Sequence, residues 1–315
     1  MSKVSVIRYD EGCRRAWDEF VAAAKNGVFL FRRDYVEYHA DRFPDASLMF
    51  YDEAGRLVGL LPATERGGGV LASHAGLTFG GLVSDDSMKV GLMLELFDAM
   101  LAHLRAGGVE RLVYKAVPHI YHRVPAEEDL YALFRAGARL TRRDVSATID
   151  MRERLPFSKG RRYAAKQAQK NGVEVSESSD FETFMGIEAR VLAERHGARP
   201  VHTAAELTML AGRFPENIRL FAAHRAGRMI AGVVVYASGR VAHAQYIGAT
   251  EEGRAVGATD LILTLLISDY YKDANYFDFG ISTERDGTYL NEGLAENKQG
   301  FGARAVVYDF YEIAL

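Results

Sequence analysis

What most constrains the fold of this chain is that it nearly repeats itself. Ala40 to Pro44 reads A-D-R-F-P and is followed ten residues later by A-G-R-L-V-G, while Ala211 to Pro215 reads A-G-R-F-P and is followed by A-G-R-M-I-A-G. The two passages lie 171 to 172 residues apart, measured from Ala40 to Ala211 and from Ala54 to Ala226. Each runs from the end of an amphipathic helix pattern into a two-strand hairpin. Arrays that bury a core only by stacking repeat every ~20–50 residues, so a period this long implies two copies of a whole domain. A length of 315 residues gives each copy enough chain for its own core.

Composition narrows the class further. With 48% hydrophobic and 26% charged residues and seven prolines, the chain is foldable rather than disordered. A net charge of -3 makes no case for bulk nucleic-acid binding, and no DNA partner is expected. Cys13 is the only cysteine and cannot form an internal disulfide. The nine histidines show no metal-ligand spacing, so no metal is expected. His119 and His122 form a pair without a third ligand. Met1 to Asp10 alternates apolar and polar residues and lacks the apolar core of a signal peptide. The longest apolar patches, such as Leu261 to Ile267, fall far below the ~18 residues that span a bilayer. These features predict a cytoplasmic protein.

In the second half, alternation after Gly172 predicts a strand, and Asp180 caps a periodic helix running towards His196. Thr203 and Glu206 fit a capping box opening a second helix. Ile218–His224 and Met229–Ala237 predict antiparallel strands turning at Ala226-Gly227. Val241–Gly248 predicts a strand, Ala258–Tyr271 a long helix, Tyr276–Ile281 a parallel strand, Thr288–Gln299 a last helix and Ala303–Ile313 the closing strands. The first half follows the same order. It has a strand at Val4–Tyr9, helices at Cys13–Lys25 and Arg33–Arg42, and a hairpin at Leu48–Thr64. An extended stretch at Leu71–Val83, a helix at Met88–Leu104 and a strand at Val109–Ala116 follow. A short helix at Asp129–Arg135 and a strand at Leu140–Ile149 complete the copy. The expected class is α/β, two tandem copies each with a mixed, mostly antiparallel sheet flanked by helices. The expected division is 1–151, a basic linker helix at 152–171, and 172–315.

This order resembles the GNAT acyltransferase fold, and two copies in one chain resemble the FemABX group of aminoacyltransferases and related tandem GNAT acetyltransferases. Three passages carry the resemblance: the basic K-G-R-R-Y-A-A-K-Q-A-Q-K-N-G-V at Lys159 to Val173, Y-F-D-F-G at Tyr276 to Gly280, and N-K-Q-G-F-G at Asn297 to Gly302. Two features depart from the group. Asn297 stands where FemX-like enzymes commonly carry phenylalanine, and there is no long coiled-coil insertion of the kind some members direct towards transfer RNA.

The resemblance implies acyl transfer from acetyl-CoA or another acyl-CoA to an amine, with a sugar, nucleotide-linked or envelope-precursor acceptor. The alternatives it leaves are an aminoacyltransferase using aminoacyl-tRNA and an inactive GNAT-like binding protein. Arg254 to Thr259 resembles the GNAT pyrophosphate loop, in which N–H groups at a helix N-terminus bind phosphate. Arg254, Val256, Gly257, Ala258 and Thr259 are therefore candidate coenzyme A contacts. Tyr246 and Ile247 join them, because GNAT enzymes use backbone N–H groups at a bulge near this point of the preceding strand. A glycine turn with a solvated arginine is the structural alternative. In the first copy Asp85-Asp86 occupies the equivalent place, where carboxylates satisfy the helix dipole and repel phosphate, so the second copy is the expected donor side.

His243 has the intrinsic acidity of a base. Strand alternation puts it on one face with Gln245 and puts Tyr246 on the other. Glu284 is the alternative base, Tyr289 a candidate acid towards the leaving thiolate, and Lys298 matches the FemX-like lysine implied in substrate or oxyanion contact. Arg162, Lys166 and Lys170 share a helix face led by Lys159 and Arg161. Arg161, Arg162, Lys166, Gln245, Ser282 and Asn291 are candidate acceptor contacts. Each also has an ordinary structural explanation as a capping, packing or solvated residue.

Overall fold

The computed structural model describes residues 4–197 and 199–315, and the chain divides into two compact units. They are not the two contiguous halves expected from the sequence. The first comprises Met1–Asp144, Thr283–Tyr289 and Val307–Leu315, and the second comprises Val145–Ser282 and Leu290–Val306.

In the first unit β1 (Val4–Arg8), α1 (Arg14–Ala23) and α2 (Arg33–Val36) lead into β2 (Leu48–Asp52) and β3 (Leu57–Leu61). The three strands form an antiparallel sheet in the order β1-β2-β3. A second sheet follows from β4 (Thr64–Glu65), β5 (Val70–Ala72) and, after α3 (Val90–Ala106), β6 (Arg111–Lys115), which pairs parallel to β5. Next come α4 (Glu128–Arg135) and β7 (Arg139–Asp150), whose last residues belong to the second unit. The core of this unit gathers Leu61, Leu82, Leu96, Phe97, Leu112 and Tyr114.

The second unit continues with α5 (Lys159–Lys170), β8 (Glu174–Ser178), α6 (Phe181–His196) and α7 (Ala204–Arg213). It then runs through β9 (Ile218–Arg225), β10 (Arg228–Ser238), β11 (Val241–Ala249), α8 (Glu251–Val256), α9 (Ala258–Leu265) and β12 (Tyr276–Ile281). After β13 (Thr283–Glu284) and β14 (Tyr289–Leu290), the chain ends in α10 (Glu292–Gln299) and β15 (Arg304–Ala314). Within this unit the sheet order is β7-β12-β11-β10-β9-β8, antiparallel except for the β11–β12 pair. The final residues of β15 pair antiparallel with β6, Phe310 opposite Lys115 and Ala314 opposite Arg111. That pairing is why the C-terminus belongs to the first unit rather than the second.

Small residues of β11 pack under α9, with Ala242, Ala244 and Ala249 in one core with Leu261, Ile262, Phe277, Phe279 and Phe301. Each fully buried phenylalanine contributes roughly 1.5–3 kcal/mol. The expected hairpin turn is present, with Ala226 at φ 49° and Gly227 at φ 74°, the left-handed pair that a tight hairpin requires. The capping box also forms, since Thr203 accepts from the Glu206 N–H at 3.1 Å and Glu206 accepts from the Thr203 N–H at 2.7 Å.

Several element boundaries differ from the sequence expectation. The predicted 258–271 helix ends its α-helical part at Leu265 and finishes in a wider π turn over Leu266–Tyr270. The predicted 288–299 helix starts only at Glu292. Asn291 caps it by accepting from the Leu294 N–H at 3.0 Å, and Arg285, Asp286 and Gly287 before it are all at positive φ. The predicted 33–42 helix is reduced to α2 and a single 3-10 turn at Glu37–His39. Of the stretch 71–83, only Leu71 and Ala72 lie in a regular strand, the end of β5. Asp85 and Asp86 do not reach the first turn of α3. Asp85 accepts from the Ser87 N–H and hydroxyl, and Asp86 pairs with Arg123 at 2.5 Å. The expected carboxylates at that helix terminus are therefore local turn and ion-pair residues, and they say nothing about phosphate. The basic helix predicted as a linker is α5 of the second unit, where Arg161 pairs with Asp260 of α9 at 2.8 Å.

Candidate active site

The two parallel strands of the second unit pair over only three positions: Val241 with Tyr276, Ala242 with Phe277, and His243 with Asp278. Beyond that rung both strands become irregular. Against β10, Val234 faces Tyr246 while Val235 faces Ala244, so Gln245 is the extra residue of a bulge. On β12 Gly280 takes φ 76°, and a Cβ there would stand 3.3 Å from His243 Cε1. The bulge reverses the face that the sequence assigns to Tyr246. Ala242 and Ala244 before it and Ile247 and Ala249 after it all meet the α9 core. His243, Tyr246 and Gly248 therefore share the opposite face, whereas alternation had separated His243 from Tyr246.

On that face His243 Nδ1 lies 2.7 Å from Asp278 Oδ2. Asp278 is fully buried, and its Oδ1 accepts from Ser146 Oγ at 2.5 Å and Thr148 Oγ1 at 2.8 Å. An anion taken out of water in this way must be compensated by donors, and three surround it. With Nδ1 committed to Asp278, Nε2 is the ring nitrogen left to exchange a proton. Lys298 on α10 is buried too, and its Nζ donates to the carbonyls of Gly280 at 2.9 Å and Ile281 at 2.6 Å. Burial pushes its ammonium down to about 8, against an opposing pull from Asp278. Ser282 is buried, and its hydroxyl makes no hydrogen bond among the described residues.

Further along the same face, His202 Nδ1 stands 2.7 Å from the Tyr246 hydroxyl, which also accepts from the His202 N–H at 3.3 Å. Burial raises Tyr246 to about 12, helped by the charge of Glu188. The phenol is therefore neutral at physiological pH.

Residues 157–288 match the family model of the acetyltransferase (GNAT) domain. The chain contains a GNAT domain. Among solved structures it is similar to FemX, at TM-score 0.70 and 12% identity, covering 99% of this chain and 97% of that one. It is also similar to the C-terminal domain of an Agrobacterium fabrum protein assigned as a lysylphosphatidylglycerol synthetase, at TM-score 0.61 and 12% identity, with 96% and 91% covered. A tandem GNAT protein of clavulanic acid biosynthesis aligns at TM-score 0.51 and 12% identity over 99% and 98% of the two chains. Comparison with curated proteins found no match. The fold is thus the tandem, FemX-like GNAT fold expected from the sequence.

Within the GNAT domain two of the phosphate-loop residues, Arg254 and Gly257, are engaged inside the chain. Arg254 Nη1 donates to the Ala249 carbonyl at 2.6 Å. Gly257 stands at φ 77°, and a Cβ on it would lie 2.8 Å from the Ala164 carbonyl of α5. The glycine is required there by the close approach of α5. Val256 ends α8, Ala258 and Thr259 open α9, Ala258 is fully buried, and Asp260 in the same turn is paired with Arg161. Ile247 packs against the α9 core.

Of the remaining predicted residues, Arg162 and Lys166 are exposed on α5 together with Lys159 and Lys170. The Arg161 guanidinium lies 5.1 Å over the Phe301 ring as well as pairing with Asp260. Asn291 is the α10 cap, and its N–H donates to the Ser282 carbonyl at 2.9 Å. Glu284 and Tyr289 are exposed and belong to the first compact unit, whereas His243 and Lys298 belong to the second. Two site residues were missed in the sequence. Asp278 stands as a lone acid between Phe277 and Phe279 of a buried strand, and Glu188 falls on the apolar period of α6. Among the described residues no group of three or more His, Cys, Asp or Glu is placed to hold a metal ion, and no helix is long and apolar enough to cross a membrane.

Proposed function

We propose that this chain is an N-acyltransferase in which His243 deprotonates an amine acceptor at the parting of β11 and β12. The hydrogen-bonded pair of His243 and Asp278 on the last rung between those strands carries this reading. An ammonium acceptor must lose a proton before its lone pair can attack an acyl carbonyl. Asp278 orients the imidazole and stabilises the imidazolium that forms, while the proton is taken at Nε2. The bulge at Gln245 frees backbone N–H direction from the regular ladder and offers the developing oxyanion a donor. Lys298 supplies positive charge beside the strand end and can return a proton to the leaving group.

An acyl-CoA donor is supported by the match to the acetyltransferase domain model. A second reading, an aminoacyl-tRNA donor, is favoured by charge. Arg254 and Gly257 are used within the chain and Asp260 occupies the first turn of α9, whereas Lys159, Arg162, Lys166 and Lys170 form an exposed basic face with no ion pair among the described residues. The acceptor on either reading is an amine on a sugar, nucleotide-linked or envelope-precursor molecule. Titration with acetyl-CoA and with charged transfer RNA separates the donors. Arg254→Glu should weaken the first, and Lys166→Glu with Lys170→Glu should weaken the second and flatten its salt dependence. Absence of binding by either donor would remove the transferase reading.

A further inference from the structure

Glu188 occupies a position at which α6 should be apolar. Phe181, Phe184 and Met185 are buried at the i, i+3 and i+4 positions of one helix face, and Glu188 takes the i+7 position with only 7% of its surface exposed. A carboxylate in such a place normally pairs with a cation or accepts several hydrogen bonds. Here Oε2 makes no hydrogen bond, and Glu188 has no ion pair among the described residues. Burial alone pushes its carboxyl up to about 7.

The facing strand is built around this carboxylate. A Cβ at Gly248 of β11 would lie 2.5 Å from Glu188 Oε2 and 3.3 Å from Phe184 Cε2, so the absence of a side chain at 248 is what admits the acid. Gly248 is two residues beyond Tyr246, on the face that also carries His243. The charge of Glu188 is felt by the Tyr246 phenol of β11, which is tied to His202 from the segment before α7 and to the Gln245 side chain, with Glu206 of α7 contributing further negative charge at Tyr246. A carboxylate, a phenol ring and, among the described residues, no cation paired with the acid form an environment that selects for positive charge.

We propose that Glu188, with Gly248 and Tyr246, forms a subsite for the primary ammonium group of a cationic substrate. Its identification with the acyl acceptor rests on the N-acyltransferase reading; the subsite itself does not. A primary ammonium brings a positive charge and three N–H donors to the unpaired oxygen, whereas a neutral alcohol brings one donor and no charge, and an anion is repelled.

The test uses the full chain with 13C-labelled glutamate side-chain carboxyls, the Glu188 resonance being assigned by its loss in Glu188→Gln. At pH 8, n-butylammonium chloride should move this resonance saturably, and n-butanol at equal concentration should not. At pH 5, where the carboxyl is protonated, the apparent affinity should fall by about tenfold or more. A Glu188 resonance that ignores n-butylammonium, or that n-butanol moves equally, overturns the subsite. No acyl donor is present in this titration, so its failure leaves the transferase reading standing. A positive titration in a protein that transfers no acyl group removes that reading and leaves the subsite.

Discussion

His243 Nδ1 meets Asp278 Oδ2 at 2.7 Å on the last rung that joins β11 to β12. The same carboxylate is anchored through its other oxygen by Ser146 and Thr148, two hydroxyls of β7. Orientation of the imidazole is therefore set by three strands of one sheet and not by a loop.

His243→Ala should lower the rate of acyl transfer by about 10²–10⁴-fold with little change in thermal stability, as removal of a positioned base does. Asp278→Asn should give a smaller loss, because it acts through the tautomer and orientation of His243. It should also shift the acidic limb of the rate profile. Rate profiles of both variants, measured alongside unfolding curves, check this. Equal effects on stability and rate would assign Asp278 to the core alone.

Lys298 predicts a second limb. Burial lowers its ammonium to about 8, so it loses its proton within an accessible range. If Lys298 supplies a proton or positive charge to the leaving group, the wild-type rate falls as pH rises through about 8, and Lys298→Met lacks that limb while folding normally. A limb that persists in the variant belongs to another group.

Glu188 makes a stability prediction of fixed sign. Burial raises its folded-state pKa from 4.5 to about 7, so between those values the folded chain holds a proton that the unfolded chain has released. Stability falls as pH rises through that window and the penalty is complete above it. Glu188→Gln should therefore be more stable than wild type at pH 8 by up to roughly 3 kcal/mol, with the difference fading towards pH 4.5. Urea unfolding at the two pH values measures it.

Gly257→Ala tests the contact of α5 with α9. Alanine at φ 77° is strained, and its Cβ would stand 2.8 Å from the Ala164 carbonyl, closer than atoms approach without movement. A loss of about 2 kcal/mol or more is expected in thermal or denaturant unfolding. An unchanged stability would mean that α5 yields freely there, which would reopen the N-terminus of α9 as a phosphate seat.

Much of this architecture was legible because it depends on local patterns. The Ala226-Gly227 turn, the Thr203 and Glu206 capping box, and the order of strands and helices around Tyr276–Gly280 are all written in short stretches of sequence. The site was less legible. Strand alternation assumes a strict period of two, so the single extra residue at Gln245 moved Tyr246 to the face of His243; the family resemblance implied a bulge near this point, but the face of Tyr246 was read by alternation alone. Asp278 was hidden within a passage read as a family motif, although an acid flanked by Phe277 and Phe279 in a buried strand is itself a signal. Arg254 and Gly257 fitted a loop pattern, yet their roles depend on Ala249 and on Ala164, about ninety residues earlier in the chain for the latter. Pairings at that separation carry no local trace.

The most direct measurement is a single-turnover assay with labelled acetyl-CoA and labelled aminoacyl-tRNA, each offered to a panel of amine acceptors, comparing wild type with His243→Ala. Wild type should give an N-acylated amine from at least one donor, and the variant should lose about 10²-fold or more of that rate. Transfer at the same rate by His243→Ala, or no transfer from either donor, would contradict this expectation.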